Sequence, residues 1–216
     1  MNIPEIRILV PGGGYRAMAP LLRPELEQKG LSQLLEQEFL DKKAAEITEA
    51  WRPHAERILH GMCEALGLEF RQNLVEVHIL PFEGSFSWPL TIGYHYFDKD
   101  RAVDTITHEL IHRLLVDNTK LPFDYDTWPA WSKIIGDEPN APTFIHIVVH
   151  TVMKYVFLDV LHEPERLARD IADCQQYENY RLAWEYVESH DYRHLLDAIR
   201  SSYDELLPTV HTAEGR

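Results

Sequence analysis

Apolar and polar positions alternate along this chain in two periods, one of about two residues and one of about 3.6. Residues 6–10 (Ile6, Ile8, Leu9 and Val10 around Arg7) predict a short buried strand, closed by a Pro11-Gly12-Gly13-Gly14 turn. Between 32 and 66 the apolar positions Leu35, Phe39, Ala45, Ile47, Trp51, Ala55, Ile58 and Met62 recur at helical spacing, with Pro53 kinking or splitting the helix. Val75, Val77 and Ile79 alternate as one face of a second strand over 75–80. Residues 90–97 form a further β-like run. A helix follows, capped by Asp98 or Asp100, with Val103, Ile106, Leu110, Ile111, Leu114 and Leu115 on its apolar face.

Beyond Asp117 the pattern changes. Residues 118–141 are irregular, with several Pro and two tryptophans, Trp128 and Trp131; a loop of that length is usually functional. The most apolar segment, 144–161, reads as a core helix with Asn140 as cap and Pro142 in its first turn; Pro164 marks its end. Residues 165–207 are helical, acidic and aromatic, and 208–216 read as a disordered tail. Strands dominate before the break and helices after it. The expected fold class is therefore α+β, with an N-terminal α+β lobe at 1–117 and a helical C-terminal lobe at 118–216.

Composition narrows the partners. A formal net charge of -14 in 216 residues argues against nucleic acid and against an anionic membrane surface. Residues 1–7 carry no apolar run after basic residues, so no signal peptide is expected. Cys63 and Cys174 lack metal-type spacing and read as reduced thiols of a cytoplasmic protein. Gly12, Gly14 and Ala17 match a GxGxxA dinucleotide pattern, but no strand with an acidic residue follows at the required distance, so a turn is the expected role.

The chemistry concentrates in His108-Glu109-Leu110-Ile111-His112, an HExxH sequence within the helix-patterned segment. Histidines four apart share a helix face and can grip one zinc ion, while the adjacent Glu109 can take a proton from a metal-activated water. A catalytic zinc needs a third protein ligand. The extended HExxHxxGxxH pattern fails, because Leu115 and Asn118 stand where Gly and His are required. Glu138 and Glu163 both adjoin a proline and are poorly placed. His146 and His150, four apart on the apolar helix, are the better candidates. His150 is the expected third ligand, since an imidazole deeper in an apolar stretch most needs a partner. His146 is then expected to orient substrate or support the oxyanion, and the reverse assignment stays open.

The HExxH motif and the order of elements around it resemble the zincin metallopeptidases over about residues 6–160. The resemblance implies a small N-terminal sheet with a backing helix and an active-site helix, then a mainly helical lobe that supplies the third ligand. It implies one Zn2+ ion, a peptide or protein substrate, and hydrolysis by water with Glu109 as base. It also implies an edge strand at 90–97 to which substrate adds, with Gly93 admitting the substrate backbone and Tyr94, His95 and Tyr96 lining the cleft. Two other functions fit the same residues: hydrolysis of a non-peptide amide, and a non-catalytic interaction protein stabilised by a metal.

Overall fold

The computed structural model describes residues 1–118, 135 and 141–202. The expectations for residues 119–134, 136–140 and 203–216, including the loop tryptophans, Glu138 and the tail, lie outside the described residues. The fold class is α+β: eight α-helices and one four-stranded mixed sheet among the described residues. The chain divides into two compact units. One comprises Met1–His60 and Gln72–Arg113, the other Gly61–Arg71 and Leu114–Arg216. The expected boundary at 117 therefore lies inside the second unit.

The first unit holds the sheet. Strand β1 (Glu5–Leu9) pairs in parallel with β2 (Leu74–Ile79), and β2 in parallel with β4 (Leu90–Ile92). Strand β3 (Phe86–Ser87) closes the order β1-β2-β4-β3 as an antiparallel edge. Parallel neighbours need a long crossover. Here it is helical: α1 (Gly12–Gln28), a 3-10 turn at Ser32–Leu35, α2 (Gln37–Trp51) and α3 (Ala55–Leu66). Helix α2 packs against β1 and β2. The expected dominance of strands before the motif is thus corrected, since three helices precede it. The Gly12–Gly14 segment, expected as a turn, begins α1 instead.

The alternation expected for β2 is present, with Val75, Val77 and Ile79 buried. The run at 90–97 is not one strand. It leaves the sheet at Ile92, and Tyr94–Tyr96 forms a 3-10 turn. Nor is β4 an edge, because β3 covers it. The reason lies at Gly93. A Cβ there would stand 2.1 Å from the Gly84 carbonyl oxygen and 2.7 Å from that of Phe82. The Tyr94 amide donates to the Phe82 carbonyl at 2.7 Å and the Gly93 amide to Ser85 Oγ at 3.3 Å. The close approach that glycine permits is made by the chain's own backbone.

Helix α4 (Lys99–Asn118) begins at Asp98, whose carboxylate accepts from the amides of Asp100 and Arg101. Of the two expected caps, Asp98 acts. Ala102, Val103, Ile106, Leu110, Ile111, Leu114 and Leu115 of this helix are all within 2% of full burial. Fully burying an aliphatic side chain contributes roughly 1.5–3 kcal/mol, so this face holds α4 firmly in the interior.

The second unit is helical. Helix α5 (Ala141–Tyr155) runs into a π-helical turn at Val156–Leu161, followed by α6 (Pro164–Cys174), α7 (Glu178–Ser189) and α8 (Tyr192–Ser201). Helix α5 packs against α7 and α8. Pro142–Leu161 is long and apolar enough to cross a membrane by length and composition, with 67% of its most apolar window buried within the fold. That burial is the pattern of a core helix. The C-terminal part of α3 belongs to this unit because Gly61 abuts Val160 and Asn118 donates to the Glu69 carbonyl at 2.9 Å.

Replacing Gly93 by Ala forces a backbone carbonyl to move. We expect Gly93→Ala to destabilise the fold by about 3 kcal/mol, at the upper end for overpacking, read as a lowered denaturant midpoint. An unchanged midpoint would show that the turn has slack.

Candidate metal centre

Helix α4 carries His108, Glu109 and His112, and all three are buried. Two forces act on them in opposition. The apolar face pulls the helix inward, while each ionisable group resists leaving water unless something compensates it. One turn separates the two histidines, so both rings emerge on one side. Their Nε2 atoms lie 3.1 Å apart and their ring centroids 4.9 Å apart. Two imidazoles on a tetrahedral zinc, at the usual Zn–N length, have nitrogens about 3.3 Å apart. The pair is therefore already close to the spacing of two ligands on one ion.

The third imidazole of this group is His146 of α5. Donor atoms of His108, His112 and His146 all lie within 4.8 Å of one another. His146 Nδ1 and the Pro142 carbonyl oxygen are 2.5 Å apart. That bond assigns the tautomer: Nδ1 carries the proton and donates, so Nε2 is the nitrogen that would ligate a metal. Metal-bound histidines commonly show this backbone anchoring. Burial holds the His146 pKa below its ordinary value, opposed by the bond to Pro142. A neutral ring is the ligating form. Donor type, number and spacing all suit a metal ion such as Zn2+.

Of the two α5 histidines it is His146, the alternative the sequence left open, that groups with the motif pair. His150, expected as third ligand, is fully buried elsewhere: its ring stacks on Trp184 of α7 with centroids 4.3 Å apart and planes 13° apart. His146, expected to orient substrate, joins the motif pair. Both lie on one face of α5, with ring centroids 5.7 Å apart, so helical spacing could not separate them. Glu163 is ion-paired with the buried Arg166 one turn along.

The expected substrate residues meet other groups. Gly93 faces the carbonyls of Phe82 and Gly84. The Tyr94 hydroxyl lies 3.4 Å from Lys29 Nζ, and His95 lies 3.6 Å from Glu83. One residue the motif search missed is Tyr180 of α7, whose ring lies against His146 with centroids 4.1 Å apart. Its signal was faint: Tyr177, Tyr180 and Trp184 share a helix face at i, i+3 and i+7.

Burial alone pushes the Glu109 carboxyl up to about 8. A divalent cation on the neighbouring imidazoles would favour the carboxylate and oppose that shift. The arrangement thus offers three nitrogen donors and, next to one of them in sequence, a buried group able to exchange a proton. No family model, no curated protein and no solved structure matches this chain.

The raised Glu109 pKa has a definite sign in the metal-free protein. The folded state keeps a proton that the unfolded chain releases above about 4.5. The contribution to stability is full below that pH and is lost as pH rises through about 8. We expect the metal-free protein to lose stability across this window in denaturant titrations. Glu109→Gln should flatten the dependence; an identical slope in that variant would assign it to other groups.

Proposed function

We propose that the chain is a zinc-dependent metallopeptidase of zincin type, hydrolysing peptide bonds of peptide or protein substrates in the cytoplasm. The observation that carries this reading is the grouping of His146 with His108 and His112, with the buried Glu109 adjacent in the motif. His108, His112 and His146 would hold the ion. Bound zinc supplies a Lewis acid that polarises the scissile carbonyl and acidifies water.

The chain's own residues do the rest. Glu109 accepts the proton of the attacking water and passes it to the departing amine. A carboxylate kept from bulk water gives that proton few competing destinations. Pro142 holds His146 in its ligating tautomer through the carbonyl bond. The apolar side of α4 anchors the backbone from which His108, Glu109 and His112 project, and proton transfer at hydrogen-bond range requires such a rigid support.

A peptide, rather than another amide, is favoured by the sheet edge. Among the described residues the antiparallel strand β3 is an edge of the sheet, and Phe86 and Trp88 are exposed at 53% and 67%. The Arg113 guanidinium, next to His112 in sequence, lies 5.3 Å from the centre of the Trp88 ring. An extended chain adding to β3 would run beside the motif helix. This reading moves the edge role expected at 90–97 to β3, with Trp88 next to it in sequence.

The test is hydrolysis of a mixed peptide library by the zinc-loaded protein. We expect Glu109→Gln to lower turnover by roughly 10²–10⁴-fold, the usual range for a lost general base, with zinc still bound. Full activity in that variant overturns the assignment of Glu109. His146→Ala should release the ion from the motif pair, read as weakened zinc affinity; unchanged affinity would remove His146 from the ligand set.

A further inference from the structure

A second donor group lies within the helical unit, apart from the motif. His150 of α5 and Asp170 and Cys174 of α6 place one ligand atom each within 4.8 Å of the others. His150 and Cys174 are buried, and Asp170 is half-buried. Asp170 and Cys174 are one helical turn apart and so face the same way. Cys174 Sγ lies 3.6 Å from Asp170 Oδ2. A thiolate sulfur and a carboxylate oxygen on one tetrahedral zinc, at usual bond lengths, stand about 3.6 Å apart.

Trp184 organises this group from outside. Its indole Nε1 donates to Asp170 Oδ2 at 2.9 Å, and its ring stacks on His150. One side chain thereby orients two of the three donors, the role that outer partners play around metal ligands. We propose that His150, Asp170 and Cys174 form a second transition-metal site, of mixed nitrogen, oxygen and sulfur donors, selective for Zn2+ over Mg2+ or Ca2+. Sulfur and imidazole donors give that preference, because hard cations take oxygen ligands. Binding deprotonates the Cys174 thiol and releases that proton to solvent. Trp184 covers the His150 ring, so the site's role is to fasten α5 to α6 rather than to bind substrate.

The experiment is titration of the metal-free, full-length chain with Co2+ as a spectroscopic stand-in for zinc. The motif site has no sulfur, so a thiolate-to-cobalt charge-transfer band reports the second site alone. We expect two equivalents bound and a band that saturates with one of them. The band should persist in Cys63→Ser and in His108→Ala, and vanish in Cys174→Ser. Cobalt binding without a thiolate band in the unaltered chain overturns the proposal, and so does a band that Cys63→Ser removes. If Cys174→Ser does not fold, the unaltered chain and Cys63→Ser still decide the outcome. Persistence of the band in His108→Ala, even without hydrolytic activity, separates failure of the peptidase reading from failure of this one.

Discussion

The central constraint on this structure is the burial of ionisable groups on two helices whose other faces are apolar. Helix α4 takes two imidazoles and the carboxyls of Asp104 and Glu109 inside with its aliphatic side chains, and α5 takes two more imidazoles. Burial favours uncharged forms, which is why Glu109 is pushed up to about 8 and His146 is held low. The same desolvation that opposes folding favours, at His146, the neutral ring that binds a metal. A cation at the group would favour the Glu109 carboxylate. On that view a metal would compensate the chain for the charge chemistry that its hydrophobic pattern forces indoors.

The sequence was most legible where one local period decided the outcome. Helix α4, the narrowing of its cap to Asp98 or Asp100, and the shared face of His108 and His112 follow from spacing alone, as do β2 and the helix after Asn140. It was least legible where the deciding contact comes from far along the chain. The run at 90–97 has the composition of a strand, but carbonyls at 82 and 84 fold against Gly93 and turn it out of the sheet. His146 and His150 are equivalent by periodicity. What distinguishes them is Trp184, more than thirty positions away, which stacks on one and not on the other. Burial depth favoured His150 as a ligand of the motif's metal; the fold instead sets its ring against Trp184 and beside the pair Asp170 and Cys174.

Cys174 illustrates the same limit of one-dimensional reading. It has no CxxC partner, so spacing assigns it a plain thiol. Its neighbours Asp170 and His150 come from the same helix one turn back and from a different helix, a combination that no linear motif describes. Burial and the adjacent Asp170 push its thiol well above the usual range in the absence of a cation. Helix α5 therefore offers each of two donor groups one histidine, His146 and His150, on a single face. A helix can do this because one turn, about 5.4 Å, is long enough to give each ring its own outer partner: the Pro142 carbonyl for one, the Trp184 indole for the other.

The sheet matters to the motif through the path between them. After Ile92 the chain has only the crowded turn at Gly93, the 3-10 residues 94–96 and the Asp98 cap before α4 begins. Two of these are fixed: the turn by backbone carbonyls that leave no room for a Cβ, the cap by hydrogen bonds that two backbone amides donate to the Asp98 carboxylate. So short and constrained a connection transmits the position of β4 directly to the start of α4. Ligand geometry tolerates errors of only about 0.5 Å. A helix entered through a loose loop would depend on side-chain packing alone to set His108 and His112 in register. Here backbone hydrogen bonds carry part of that task, which explains why a glycine that touches no ligand is bound into the architecture of the site.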